Sequence, residues 1–92
     1  MLRALAVEWT EGALTELERL AQRSPRAAAR ALVAAERMGA HGYDEGRPLS
    51  EPNVRYRPPI GRSERLGLFY TVTSTAFRIT WVVDARQLRE LP

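Results

Sequence analysis

The chain contains no cysteine, no lysine and a single histidine, His41. Nor does it contain an apolar run near the roughly 18 residues that cross a membrane as a helix. Each absence removes a class of function. Without cysteine there is no disulfide framework, no thiolate metal site and no cysteine nucleophile. The usual staple of small secreted domains is missing too, so a cytoplasmic location is expected. One histidine argues against a histidine-built metal centre and against a Ser-His-Asp triad. The opening stretch from Met1 to Trp9 is too short for a signal sequence and is interrupted by Glu8. Residues 39–53 are rich in glycine and proline, but no strand precedes them and no Gly-Lys-Ser/Thr follows, so they are not a phosphate-cradling loop. No motif calls for a metal or an organic cofactor.

What is present is 92 residues, 45% hydrophobic and 27% charged, the composition of a soluble globular protein. The length predicts one domain over residues 1–92 with a thin core. All 14 cations are arginine, and the net charge is +3. Residues 1–46 carry six arginines against seven acids, net −1; residues 47–92 carry eight against four, net +4. The whole excess therefore lies in the second half, which points to a polyanionic partner, nucleic acid first.

Periodicity predicts the order strand, helix, helix, strand, strand, strand. Leu5, Val7 and Trp9 alternate in a first strand over 2–9. Thr10 is an N-cap, and Ala13, Leu14, Leu17, Leu20 and Ala21 form the apolar stripe of a first helix. Ser24-Pro25 ends that helix and starts another, since serine caps and proline suits the first helical position. The second stripe is Ala28, Ala31, Leu32, Ala35 and Met38, with Gly39 as its expected stop. Residues 39–53 read as loop. Three short strands follow, at 54–57, 65–73 and 77–84. Leu66, Leu68, Tyr70 and Val72 share one face of the second; Phe77, Ile79, Trp81 and Val83 share one face of the third. A short helix or disordered tail closes the chain at 85–92. The predicted architecture is α+β: a helical hairpin against one face of a twisted antiparallel sheet, with a three-stranded meander after the hairpin.

Arg55 and Arg57 stand two apart on a strand and so project from one face, with Val54 and Tyr56 on the other. Arg62 lies in the following turn, Arg65 at the start of the next strand, and Arg78 and Arg86 on and just after the last. If the meander pairs in order, Arg55, Arg57, Arg65 and Arg86 converge. Four guanidinium groups in one cleft repel one another unless an anion is accommodated, and a phosphodiester fits that demand. The competing reading is that they keep a solvent-facing sheet soluble. His41 is read as a surface residue rather than a catalytic one, Glu64 as an ion-pair partner of its neighbour Arg65 ahead of a general base, Tyr56 as either stacking on a base or packing against the helices, and Tyr70, Trp9 and Trp81 as core.

These residues are similar to the RelE/ParE toxin superfamily of bacterial toxin–antitoxin modules. The resemblance rests on Val7-Glu8-Trp9-Thr10, Ala13-Leu14-x-x-Leu17, Ser24-Pro25-Arg26-Ala27-Ala28, Arg55-Tyr56-Arg57, Leu68-Phe69-Tyr70-x-Val72 and Ile79-x-Trp81-Val82-Val83-Asp84-Ala85-Arg86. It implies a RelE-like microbial RNase-type fold, a cognate antitoxin as partner, and one of two activities. RelE-like members cut mRNA in the ribosomal A site; ParE-like members poison DNA gyrase. Arg55 and Arg57 match the two basic positions of the strand before the turn, and Arg86 the basic position after the last strand. The arginine usual three residues before the strand tyrosine falls here on Gly67, with Arg65 two residues earlier. The C-terminal aromatic or histidine base has no counterpart in Gln87 to Pro92.

The resemblance thus implies a ribosome-dependent mRNA endonuclease. Arg55 and Arg57 would hold the scissile phosphate, Arg65 and Arg86 would stabilise developing charge, and Arg62, Tyr56 and Arg78 would contact substrate. Its alternatives are a gyrase inhibitor without nuclease chemistry, or a decayed toxin that keeps only its antitoxin interface.

Overall fold

The computed structural model describes residues 3–51, 53–61 and 64–89. Along the chain come β1 (Ala6–Trp9), α1 (Glu11–Arg23), α2 (Pro25–His41), β2 (Arg47–Pro48), β3 (Val54–Arg57), β4 (Leu66–Val72), β5 (Ala76–Asp84) and α3 (Ala85–Arg89). The strands form one open sheet in the order β1-β5-β4-β3-β2. β1 runs parallel to β5, and every other pairing is antiparallel. The α+β expectation, with its hairpin and antiparallel meander, is the architecture observed, but the sheet is mixed rather than wholly antiparallel because β1 lies parallel to β5.

Local chemistry explains the hairpin. The Thr10 hydroxyl accepts from the Ala13 N–H at 3.2 Å and so caps α1. Ser24 is shared: its N–H closes α1 on the Leu20 carbonyl, and its hydroxyl accepts from the Ala27 N–H to open α2. Proline at the first position of α2 gives up no hydrogen bond. One residue thus ends one helix and begins the next, which leaves the hairpin without a linker. Buried alanines on α2 (27, 28, 31, 34 and 35) let it approach closely, and both helices cover Leu66, Leu68, Tyr70, Phe77, Ile79 and Val82.

Several expectations need correction. First, β1 begins at Ala6 rather than at residue 2. Residues 3–5 precede the strand, and the Leu5 N–H is held by the Gly39 carbonyl at 2.8 Å. Second, α2 does not stop at Gly39. It continues to His41 and is closed by Gly42 in the left-handed region, φ 62°. Gly39 is instead a point of close approach. A methyl group there would run into Val7 Cγ2 and lie 2.9 Å from the Leu5 carbonyl oxygen. Third, the stretch 39–53 is not all loop, because β2 pairs with β3 through Arg47↔Tyr56 and Pro48↔Arg55.

Fourth, β5 changes face part-way along. Tyr70 pairs with Ile79 but Phe69 pairs with Trp81, so Thr80 is an extra residue in a bulge. Beyond it the buried positions are Val82 and Asp84 rather than Trp81 and Val83. Trp81 is 47% exposed. The stripes are also narrower than read: Leu14 and Leu32 lie at the surface. Of the tail expected over 85–92, Ala85–Arg89 form α3, and residues 90–92 lie outside the described residues.

Gly39→Ala tests the close approach. Alanine is the better helix former by about 1 kcal/mol. The substitution is nevertheless expected to destabilise the protein, by about 1–3 kcal/mol, because β1 must move away from α2. The midpoint of urea denaturation reads the sign.

Candidate functional site: two arginine clusters

The first cluster forms where β3 meets the segment after α2. Arg55 pairs in register with Tyr70, and Arg57 with Leu68. Tyr70 and Leu68 are fully buried under the helices, so both arginines point to that same side of the sheet. Arg57 is fully buried, which a guanidinium tolerates only when its hydrogen-bonding capacity is met. Its Nε donates to Glu45 Oε1 at 3.0 Å and its Nη1 to Glu64 Oε1 at 2.7 Å. Arg37 on α2 approaches Glu45 from the other side at 3.9 Å. Arg55 Nε donates to Asp44 Oδ2 at 3.1 Å. Asp44 also accepts from the Tyr70 hydroxyl and, at 3.0 Å, from the Gly46 N–H. Two consecutive carboxylates therefore hold two arginines set two apart on a strand. Gly46 allows this, because any side chain there would collide with the Tyr70 hydroxyl.

The charges respond to one another. Burial opposes ionisation of Arg57, yet its bonds to Glu64 and Glu45 outweigh that and hold its pKa above the usual value. Burial alone would raise Glu64. Hydrogen bonds from Arg57 and from the Ile60 N–H prevail and hold its carboxyl below the ordinary range. Burial, then the bond to Asp44, pushes the Tyr70 phenol well above its usual value.

The second cluster sits where β4 begins and β5 ends. Asp84 Oδ2 accepts from Arg65 Nη2 at 3.2 Å and from Arg86 Nη2 at 3.3 Å, while Oδ1 accepts from the Arg86 N–H at 3.0 Å. Arg23, Ser24 and Gln87 join these three in lining a cavity of about 530 Å³. Among the described residues, none offers a hydrogen-bond partner to the buried Arg65 Nε.

The structure thus brings Arg55 and Arg57 together on Asp44, Glu45 and Glu64, and brings Arg65 and Arg86 together on Asp84. Tyr56 and Arg78 are on the other face of the sheet, with Phe69 and Thr71 as their register partners. Burial raises the Tyr56 phenol, and the nearby charge of Arg47 opposes the rise. Arg62 lies outside the described residues. Glu64 bonds Arg57 rather than its sequence neighbour Arg65. His41 is exposed at the end of α2. Among the described residues, no group of three His, Cys, Asp or Glu side chains is placed to hold a metal ion. No helix among them is long and apolar enough to cross a membrane. Sequence reasoning missed Asp44, Glu45 and Asp84 as partners of the arginines. The signal was two adjacent acids in a glycine-rich segment, facing a strand with arginine at alternate positions.

A small open sheet with a capped helical hairpin on one face, followed by a basic meander, is the RelE/ParE-like fold. A chain of the chromosomal ParDE toxin–antitoxin system from P. aeruginosa superposes on this one with a TM-score of 0.61, at 19% identity, over 87% of this chain and 95% of that one. No protein-family model matches the sequence, and no curated protein is similar to it by sequence.

Two outcomes test the first cluster. Arg57→Met leaves Glu45 and Glu64 facing an apolar side chain and is expected to destabilise by about 2–4 kcal/mol, the partial exposure of the carboxylates softening the loss. Glu64 has a lower pKa folded than unfolded. Its contribution is therefore present above about pH 4.5 and lost as the pH falls through the folded value. Glu64→Gln should flatten the decline of stability below pH 4.5 relative to wild type, as read by chemical denaturation across pH.

Proposed function

We propose that this protein is the toxin of a type II toxin–antitoxin module and that it acts in the ParE manner, by inhibiting DNA gyrase without nuclease chemistry. One observation carries the choice. Arg57, which the resemblance would place on the scissile phosphate, is fully buried with its guanidinium committed to Glu45 and Glu64. A group so enclosed offers no donor to a polynucleotide. Its neighbour Arg55, which is only partly buried, also donates to a carboxylate, that of Asp44. The chain from the ParDE system agrees in fold with this reading. The carboxylates of both clusters are hydrogen-bonded to arginines, and among the described residues no histidine stands beside them to serve as the general base that attack by an RNA 2′-hydroxyl requires. The partner is a cognate antitoxin, expected to be acidic to suit the basic second half, and the site of action is the cytoplasm.

A second reading is favoured by a different observation. Arg65 and Arg86 are solvent-accessible, share a single carboxylate and line a cavity with Arg23. Three guanidinium groups against one carboxylate leave room for an oxyanion, as a ribosome-dependent endonuclease needs.

Induced expression in a bacterial host should arrest growth. The gyrase reading expects DNA-damage signalling and trapped gyrase–DNA complexes while translation and mRNA remain intact. Arg65→Ala combined with Arg86→Ala should leave the arrest unchanged. Cleaved ribosome-associated mRNA, abolished by that double substitution, would replace this reading with the nuclease one.

A further inference from the structure

The sheet face away from the helices carries an arrangement that the toxin reading leaves unused. Arg47, Tyr56, Phe69 and Trp81 stand in direct register on β2, β3, β4 and β5. Strands lie about 4.8 Å apart, so the three aromatic residues form a line about 10 Å long across the sheet. The rings of Tyr56 and Phe69 are 4.7 Å apart between centroids and inclined at 35°. Gly67 makes this possible, since a side chain there would occupy the space of the Tyr56 hydroxyl. Trp81 reaches this face only because the Thr80 bulge turns it out of the core. Its indole lies against Gly12 at the start of α1 and remains 47% exposed. The neighbouring row holds Val54, Thr71, Arg78 and Glu8.

The charges on this face differ from those on the other. Arg55, Arg57, Arg65 and Arg86 each have a carboxylate partner. Among the described residues, Arg47 and Arg78 form no ion pair, although Glu8 is opposite Arg78 in register. Unneutralised guanidinium groups beside a line of aromatic rings combine the two contacts that hold an unpaired strand: phosphate pairing and base stacking. We propose that this face binds single-stranded nucleic acid, with bases stacked along Tyr56, Phe69 and Trp81 and phosphates held by Arg47 and Arg78. The inference does not rest on the toxin reading, and growth arrest is not its measure.

The test is fluorescence anisotropy of the purified protein with labelled oligo-dT and oligo-rU of about 12 nucleotides, within the span such surfaces cover. Binding of either strand at low salt is expected. Trp81→Ala should weaken it about tenfold or more, and Trp81→Phe should restore most of the affinity. Removing Arg47 and Arg78 together should reduce the slope of log affinity against log salt by about 1.4, two phosphate contacts on a single strand. Arg30→Ala, on the exposed side of α2, should change little. Absence of binding at low salt would overturn the proposal. So would unchanged affinity in a Trp81→Ala protein of native circular dichroism, or equal losses from Arg30→Ala and Trp81→Ala, which would mean diffuse charge attraction. A Trp81→Ala protein that loses capture of purified gyrase while keeping its oligonucleotide affinity would assign the face to a protein partner instead.

Discussion

Burying the guanidinium of Arg57 constrains the rest of this molecule. Removing an ion from water costs several kcal/mol even after relaxation, and the cost is met only by close, well-directed counter-charges. Glu45 and Glu64 supply them, from either side in sequence. Their positions dictate the path of two connections. The segment after α2 must lie across β3 so that Asp44 and Glu45 reach the sheet, and Glu64, just before β4, must lie within reach of Arg57. The Glu64 carboxylate also accepts from the Ile60 N–H. Tyr70 is fixed in the same arrangement through Asp44, which links the apolar core to the ion-pair layer above it.

This arrangement separates the arginines by what they face. Those on the helix side of the sheet meet carboxylates and hold the fold together, with Arg65 and Arg86 around Asp84 at the opposite end of β4 from the Asp44–Tyr70 contact. Those on the far side form no ion pair among the described residues: Arg47 stands opposite Tyr56, and Arg78 between Thr71 and Glu8. Net charge counts both kinds alike. The +4 balance of residues 47–92 is thus composed of a structural part and a part available to a partner. On the proposed gyrase-directed reading no phosphate clamp is needed on the helix side, which fits the proposal that the far face holds a strand.

Much of the architecture was legible because its signals are local. Thr10, Ser24 and Pro25 act on backbone groups within four residues, so α1 and the hinge fall where capping chemistry places them. The alternation in β3 and β4 survives because those strands are regular. What was not legible depends on contacts across the fold. Gly39 looks like a helix stop until β1 is seen lying against it. The face of Trp81 follows alternation until a bulge, fixed by pairing with β4, adds Thr80 and reverses the parity. The site shows the same division. Side-chain parity put Arg55 and Arg57 on one face correctly, but parity does not say which face. The carboxylates that answer them are 11 and 12 residues away for Asp44 and Glu45, and their pairing is a property of the folded sheet rather than of either segment.

On the proposed function, Arg57 serves the fold and not the chemistry. Replacing the ion group with apolar side chains, Arg57→Met with Glu45→Leu and Glu64→Leu, removes the charges without stranding a buried one, since Arg37, the remaining partner of Glu45, is exposed, and buried ion groups often tolerate such a change. Growth arrest on induced expression of that folded triple variant is the direct measurement. The account predicts arrest as strong as in wild type. A triple variant that folds normally, accumulates to the same level and no longer arrests growth would contradict it.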